Sequence, residues 1–336
     1  MSSRVLVTGG AGYIGSHVVR QLDAAGENVT VLDNLSTGFA EAVPQDTLVI
    51  GNVGDRSLVG KLLEGVDSVL HFAAHTIVPE SVENPLKYYA NNTCQTRVLL
   101  EACAQAGVKH FIFSSTAAVY GIPENGRASE NSPTVPINPY GTSKLMSEWM
   151  LRDLAASSPL RHVTLRYFNV AGADPEGRIG QSTHRATLLT KVACEAAAGL
   201  RDFVSIFGTD YPTKDGTGIR DYIHVEDLAT AHVLALRYLQ SGGESATLNC
   251  GYGHGASVRE VLDQVERVLG RPLKKIEMPR RLGDPPSLVA EAQKVRQVLD
   301  WLPQYDDLAL IVQTSLRWEE KLKFYRQNGR YQGIIK

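Results

Sequence analysis

The stretch Thr8-Gly9-Gly10-Ala11-Gly12-Tyr13-Ile14-Gly15-Ser16 constrains this chain more than any other. It joins the buried-strand run Val5-Leu6-Val7-Thr8 to a helical segment from Gly15 to about Ala25, stopped by Gly26. A strand that feeds a helix through three spaced glycines is the opening of a dinucleotide-binding fold. Gly9 permits the tight turn, Gly12 lets a pyrophosphate approach the backbone, and Gly15 lets the helix pack close to the strand. The N–H groups at the helix start are then available to phosphate. Asp33 ends the second strand, eighteen residues past Gly15, where a carboxylate accepts from both adenosine ribose hydroxyls and repels a 2′-phosphate. The expected cofactor is therefore NAD rather than NADP. The plain alternative, a tight turn with no ligand, is disfavoured by strand, helix and acid occurring together.

The first half continues the alternation. Val29-Thr30-Val31-Leu32, Leu48-Val49-Ile50, Ser68-Val69-Leu70-His71-Phe72, His110-Phe111-Ile112-Phe113 and Val163-Thr164-Leu165-Arg166-Tyr167 read as strands, with a long helix from about Asn84 to Gln105 closed by Gly107. Alternating strands and helices imply parallel strands with crossover helices, an α/β fold of the Rossmann type with a doubly wound parallel sheet. After Ala171 the pattern loosens, and Gly, Pro and Asp punctuate 174–180 and 210–218. We therefore expect an NAD-binding domain over 1–172 and a smaller C-terminal α/β substrate lobe over 173–336, with segments near 223–250 able to return to the first.

Composition removes several function classes. A formal charge of −2 over 336 residues, with no dominant basic stripe, gives no nucleic-acid footprint. No apolar run approaches the ~20 residues of a membrane span, and Met1–Arg4 leads into the first strand without a signal-peptide pattern. Cys94, Cys103, Cys194 and Cys250 form no CxxC pair, so neither zinc nor a disulfide framework is expected. His71 and His75 are four apart, but at a strand end rather than on a helix, so no metal site is assigned. A reducing, cytoplasmic setting fits best.

The glycines are spaced GxxGxxG, which resembles the extended short-chain dehydrogenase/reductase family. That resemblance implies a Tyr-x-x-x-Lys pair, and Tyr140-Gly141-Thr142-Ser143-Lys144 supplies it. Asn138 suits a helix cap and Pro139 the first turn, so Tyr140 and Lys144 share one helix face. A phenol of pKa about 10 needs help to act as a base near neutrality, and a neighbouring ammonium favours phenolate. By the family pattern the third member is Thr116, at the end of the fifth strand; alone it would read as a turn cap. Ala117 and Ala118 follow it. Sugar-nucleotide dehydratases carry an acid/base pair there and UDP-glucuronate decarboxylases a glutamate, so elimination and decarboxylation are disfavoured.

Over most of its length the chain resembles the UDP-glucose 4-epimerases. The resemblance rests on His71-Phe72-Ala73-Ala74, Glu80-Ser81-Val82, Asn91-Asn92, Arg166-Tyr167-Phe168-Asn169, Ile206-Phe207-Gly208, and above all the run from Asp210 to Val225. It implies a cofactor site of Gly9, Gly12, Tyr13, Ile14, Gly15, Asp33, Asn34, Asn52, Val53, Phe72, Ala73, Ala74, Asn91, Ser114, Tyr140, Lys144 and Phe168. It likewise implies that Asn169, Leu189, Ile206 and Phe207 hold the UDP moiety, Arg220 and Arg281 its diphosphate, and Asp284 the uridine ribose, with Thr116 and Tyr140 at the sugar. Two guanidiniums suit a diphosphate, and an aromatic suits uracil. The implied reaction is epimerisation at C4 through a transient 4-keto sugar.

Four positions depart from the usual pattern. Asn52-Val53 replaces Asp-Ile near the adenine, and Thr76 replaces a lysine. Thr187-Leu188-Leu189 replaces a polar pair near the uracil. Leu288 stands where a tyrosine restricts some epimerases to unsubstituted hexoses, so an N-acetyl sugar becomes a candidate substrate. The rival substrates are UDP-N-acetylglucosamine, UDP-glucuronate and UDP-xylose. A rival of another class is a non-catalytic NAD-sensing protein, disfavoured because Tyr140 and Lys144 are both present. Relatives pack the helices near 84–105 and 140–154 across a dimer interface, which implies a homodimer.

Overall fold

A computed structural model describes residues 3–184, 186–281 and 283–331. Met1 and Ser2, part of the N-terminal start read above, lie outside the described residues. The strands β1 (Arg4–Thr8), β2 (Asn28–Asp33), β3 (Leu48–Ile50), β4 (Ser68–His71) and β5 (His110–Ser114) join Arg161–Tyr167 and Ala246–Cys250 in one seven-stranded sheet. Its order is Ala246–Cys250, Arg161–Tyr167, β5, β4, β1, β2, β3, and every neighbouring pair is parallel. The fold is the doubly wound α/β sheet expected from the alternation.

The strands are hydrophobic on both faces because both are covered. Successive residues point to opposite sides: Val5 and Val7 join a core with Val18, Val19 and Leu22 of the helix Tyr13–Ala24, while Leu6 joins Phe111, Phe113 and Leu99 on the other face. The helix Val225–Gln240 packs on the first face, and Ala246–Cys250 follows it into the sheet beside Arg161–Tyr167. Thus a late stretch of chain completes the sheet that the early strands begin.

A second core, with Ala193, Ile206, Leu262, Val265, Val312 and Leu316, binds together the helices Leu189–Ala197, Val258–Leu269 and Leu308–Gln327 beside the strand Val204–Phe207. A small sheet of Ala256–Ser257, Ile219–Arg220, Ser287–Ala290 and Arg127–Ala128 borders it. No helix among the described residues is long and apolar enough to cross a membrane.

The long helix expected over 84–105 is interrupted. Asn84 caps Pro85–Tyr88, a π-helical turn occupies Tyr89–Cys94, and the α-helix resumes over Gln95–Ala106, closed by Gly107 in the left-handed region. The cause is visible at Asn92. Its side-chain Oδ1 accepts the His75 N–H (2.8 Å), and its Nδ2 donates to the His75 carbonyl (3.0 Å) and to Ser143 Oγ (3.0 Å). A wide turn there lets one buried side chain hold three outside groups.

Candidate active site

The order of strands reverses between β1 and β4, and the crevice at such a point is where open α/β sheets bind ligands. Here a cleft of about 1290 Å³ runs past the ends of these strands. The glycine loop forms one wall. Gly9 has φ +71°, and a Cβ there would lie 2.5 Å from Ala73 N, so the loop after β1 touches the segment after β4. A Cβ on Gly15 would lie 2.3 Å from the Gly9 carbonyl oxygen.

The helix Tyr13–Ala24 starts at Gly12 without a side-chain cap, which leaves its first-turn N–H groups for a phosphate. Asp33 sits at the same end, its carboxylate accepting from Ala11 N (2.9 Å) and Leu35 N (2.8 Å). Burial raises its pKa, and those two backbone bonds pull against the rise. Each carboxylate oxygen keeps a lone pair for a ribose hydroxyl. An uncapped helix start, glycines with no room for a side chain, and a carboxylate with free lone pairs at the end of β2 together fit NAD.

The helix Pro139–Ser157 begins as expected, with Asn138 Oδ1 accepting from Gly141 N at 2.9 Å. Its first turn lays Tyr140 into the cleft, 6% exposed. Thr116 leaves β5 and caps the short turn Ala117–Tyr120, accepting from Ala118 N at 3.1 Å. The cap uses its oxygen, and Thr116 lines the cleft together with Tyr140, close enough to hold that phenol's pKa down. Burial pushes the Tyr140 phenol well up, the adjacent Tyr167 adds to this, and Thr116 opposes it.

Lys144 differs from the simple picture of an ammonium beside a phenol. Its Nζ donates to the Ser114 carbonyl oxygen at 2.8 Å and lies 4.8 Å from the Phe113 ring centroid. A buried ammonium has three protons to satisfy and takes the nearest acceptor. Burial pulls its pKa down to about 7, while the Glu148 carboxylate raises it.

At the far end of the cleft the Arg281 guanidinium stacks on Phe207, 3.7 Å from the ring centroid. Arg220 Nη2 reaches Asp284 Oδ1 at 3.4 Å. Leu288 lies opposite Arg220 in the small sheet and also lines the cleft. Leu189 opens a helix whose N-terminus has no side-chain cap.

The cleft thus collects Gly9, Gly12, Tyr13, Ile14, Gly15, Asp33, Asn34, Val53, Phe72, Ala73, Ala74, Asn91, Ser114 and Phe168 on the dinucleotide side. Thr116, Tyr140, Asn169, Leu189, Phe207, Arg220, Arg281, Asp284 and Leu288 complete it. Three expected residues stand outside its lining. Asn52 is exposed, and its side chain accepts from Gly54 N at 2.8 Å. Ile206 is buried in the core of the smaller lobe, because alternation along its strand turns Phe207 outward instead. Lys144 lies behind the wall, at Ser114. Sequence reasoning missed Tyr167, which ends its strand in the cleft and accepts a hydrogen bond from Ser114 Oγ at 3.0 Å. Its place at a carboxyl strand end was the available signal.

Comparison with known proteins agrees with this geometry. The model of the NAD dependent epimerase/dehydratase family matches residues 5–251. A UDP-glucose 4-epimerase from Azospirillum brasilense is 56% identical over 325 residues, covering 96% of this chain and 93% of its own. The crystal structure of UDP-glucose 4-epimerase from Brucella ovis in complex with NAD superposes with a TM-score of 0.92 at 43% identity, covering 95% of this chain and 99% of that one. The UDP-Glc/GlcNAc 4-epimerase of Campylobacter jejuni gives 0.83 at 50% identity, covering 95% and 100%. The chain belongs to the NAD dependent epimerase/dehydratase family and, within it, groups with the UDP-glucose 4-epimerases.

Proposed function

We propose that this enzyme interconverts UDP-glucose and UDP-galactose at C4. The observation that carries the reading is one cleft holding the glycine loop at one end, Tyr140 and Thr116 in the middle, and the Arg281–Phe207 stack at the other. NAD, when bound, supplies the hydride acceptor and donor. Gly12, Tyr13 and Ile14 offer backbone N–H groups to its pyrophosphate and Asp33 its carboxylate to the ribose. Arg220 and Arg281 hold the diphosphate of the sugar nucleotide, and Asn169, Phe207 and Leu189 flank the uracil. Tyr140, as the phenolate that the positive nicotinamide ring of bound NAD would favour, takes the proton of the sugar 4-hydroxyl beside Thr116, and returns that proton once the sugar has presented its other face. Proton and hydride both come back to the sugar, so no net oxidation results.

This reading divides the chain into an NAD-binding part at 1–172 and a UDP-sugar lobe at 173–336, with the stretch near 223–250 serving the first. It includes a homodimer, supported by Leu86, Met146 and Trp149, exposed apolar side chains on the helices expected at the interface. It also includes a cytoplasmic setting, consistent with four free cysteines. Light scattering and fractionation test these two. A second reading concerns substrate range: the cleft at Leu288 lacks a bulky aromatic, and the Campylobacter jejuni relative is named for both UDP-Glc and UDP-GlcNAc. UDP-N-acetylglucosamine is then a second substrate.

The direct test is to incubate purified protein with UDP-galactose and no added NAD. UDP-glucose should form, since a cofactor regenerated in each turnover stays bound. Absence of conversion, with and without NAD, would sink the epimerase reading.

A further inference from the structure

Behind the cleft lies a buried network that the reaction as described does not use. Three consecutive residues leave β5, and each is tied differently. Ser114 gives its carbonyl oxygen to Lys144 Nζ (2.8 Å) and its hydroxyl proton to Tyr167 (3.0 Å). Thr116 lines the cleft together with Tyr140. Between them Ser115 points the other way, as strand alternation requires, and is fully buried. Its Oγ donates to Glu148 Oε1 at 2.5 Å.

Glu148 lies one turn beyond Lys144 and two beyond Tyr140 on the same helix face. The Ser115–Glu148 bond therefore ties the helix bearing phenol and ammonium to the strand end bearing the hydroxyl. Arg166 holds the carboxylate, with Nη2 at 2.6 Å from Oε2 and Nε at 3.1 and 3.2 Å from the two oxygens. Arg166 is fixed in turn by Tyr120, whose hydroxyl accepts from Nη1 (3.0 Å) and donates to Asn249 (2.6 Å). A planar guanidinium fork fixes the plane of a carboxylate. A buried ion pair adds little stability over apolar residues of the same size, so geometry is the better account of its presence.

We infer that the Ser115–Glu148 hydrogen bond is a positioning device, which sets Thr116 and the Lys144-bearing carbonyl against Tyr140. Neither residue lines the cleft, so neither touches substrate or cofactor. A small displacement of reacting groups costs as much as ~100-fold in rate without weakening binding.

The inference rests on the epimerase reading, and the test separates the two. Ser115→Ala removes one hydroxyl and leaves Glu148 paired with Arg166. With UDP-galactose its kcat should fall about tenfold or more while KM stays within about twofold. Bound NAD should match the parent, the thermal midpoint should fall by no more than about 4 °C for the one lost hydrogen bond, and the primary isotope effect with 4-deuterated UDP-galactose should increase as hydride transfer becomes more limiting. Ser115→Cys, with a weaker donor, should lie between parent and alanine, and it carries the test if the alanine variant does not fold. Parent-like kcat and isotope effect in either folded variant would overturn the inference. A parent enzyme that fails to convert UDP-galactose would instead overturn the epimerase reading.

Discussion

The phenol of Tyr13 donates a 2.6 Å hydrogen bond to the carbonyl oxygen of Gly172, across 159 positions of sequence. One end of this link is the first turn of the glycine-loop helix, and the other is the point where the chain leaves the strand Asn169–Ala171. Tyr13→Phe leaves that carbonyl without its partner, at a cost of about 1–2 kcal/mol. The thermal midpoint should drop and NAD should leave faster, as followed by release of bound nucleotide. Unchanged release would show that the link does not support the loop.

Tyr140→Phe removes the proton acceptor but hardly alters volume. Turnover of UDP-galactose should fall by roughly 10²–10⁴-fold, with NAD content of the purified protein unchanged. A loss of NAD in parallel would assign Tyr140 to cofactor retention instead of proton transfer.

Gly15→Ala places a Cβ 2.3 Å from the Gly9 carbonyl oxygen and 2.8 Å from Gly10 Cα. Both neighbours are backbone, so the loop must move, at a cost of about 1–3 kcal/mol. The variant should purify without NAD, which the ratio of nucleotide to protein absorbance reports.

Four buried histidines set an acid limit. Burial pulls the pKa of His71 down to about 3 and those of His162, His224 and His232 to about 4. In the unfolded chain each returns to about 6.5. Between those values the unfolded chain binds more protons, so stability falls as pH falls from about 6.5 toward 4, and these groups contribute no slope above about pH 7.5. The loss is on the order of 1–2 kcal/mol per histidine by about pH 5. Urea midpoints measured from pH 7.5 to 5 (about the span of the effect) should decrease steadily; a flat profile would contradict neutral burial of these rings.

Leu288→Tyr narrows the cleft beside Arg220. If UDP-N-acetylglucosamine is a substrate of the parent, its kcat/KM should fall at least tenfold, about 1.4 kcal/mol, while that of UDP-galactose changes little. Equal losses on both would mean that residue 288 does not select the sugar.

The early strands were legible because both of their faces are buried and their β-branched runs are short and bounded. The start of the Tyr140 helix was legible because Asn138 and Pro139 are a cap and a first-turn residue with few other uses. The π-turn at Tyr89–Cys94 was not, since one extra residue leaves the apolar spacing nearly intact and its cause, Asn92 against His75 and Ser143, is tertiary. Lys144 was placed on the right face, but its acceptor belongs to another strand. The Glu148–Arg166 pair joins a helix to a strand, and no periodicity links the two. The smaller lobe was least legible, because strands as short as Ile219–Arg220 exist only through pairing with residues such as Ser287 and Leu288.

The sheet that carries the glycine loop ends at Ala246–Cys250, and the helix Val225–Gln240 covers Tyr13–Ala24. On the ribosome, the glycine loop, Tyr140 and Lys144 all emerge well before the strand and helix that complete their support. Until Cys250 has been added, Arg161–Tyr167 lacks one neighbour and the first helix lacks its cover. The order of synthesis is therefore not the order of assembly, and cofactor capture belongs to a late stage in the life of the nascent chain.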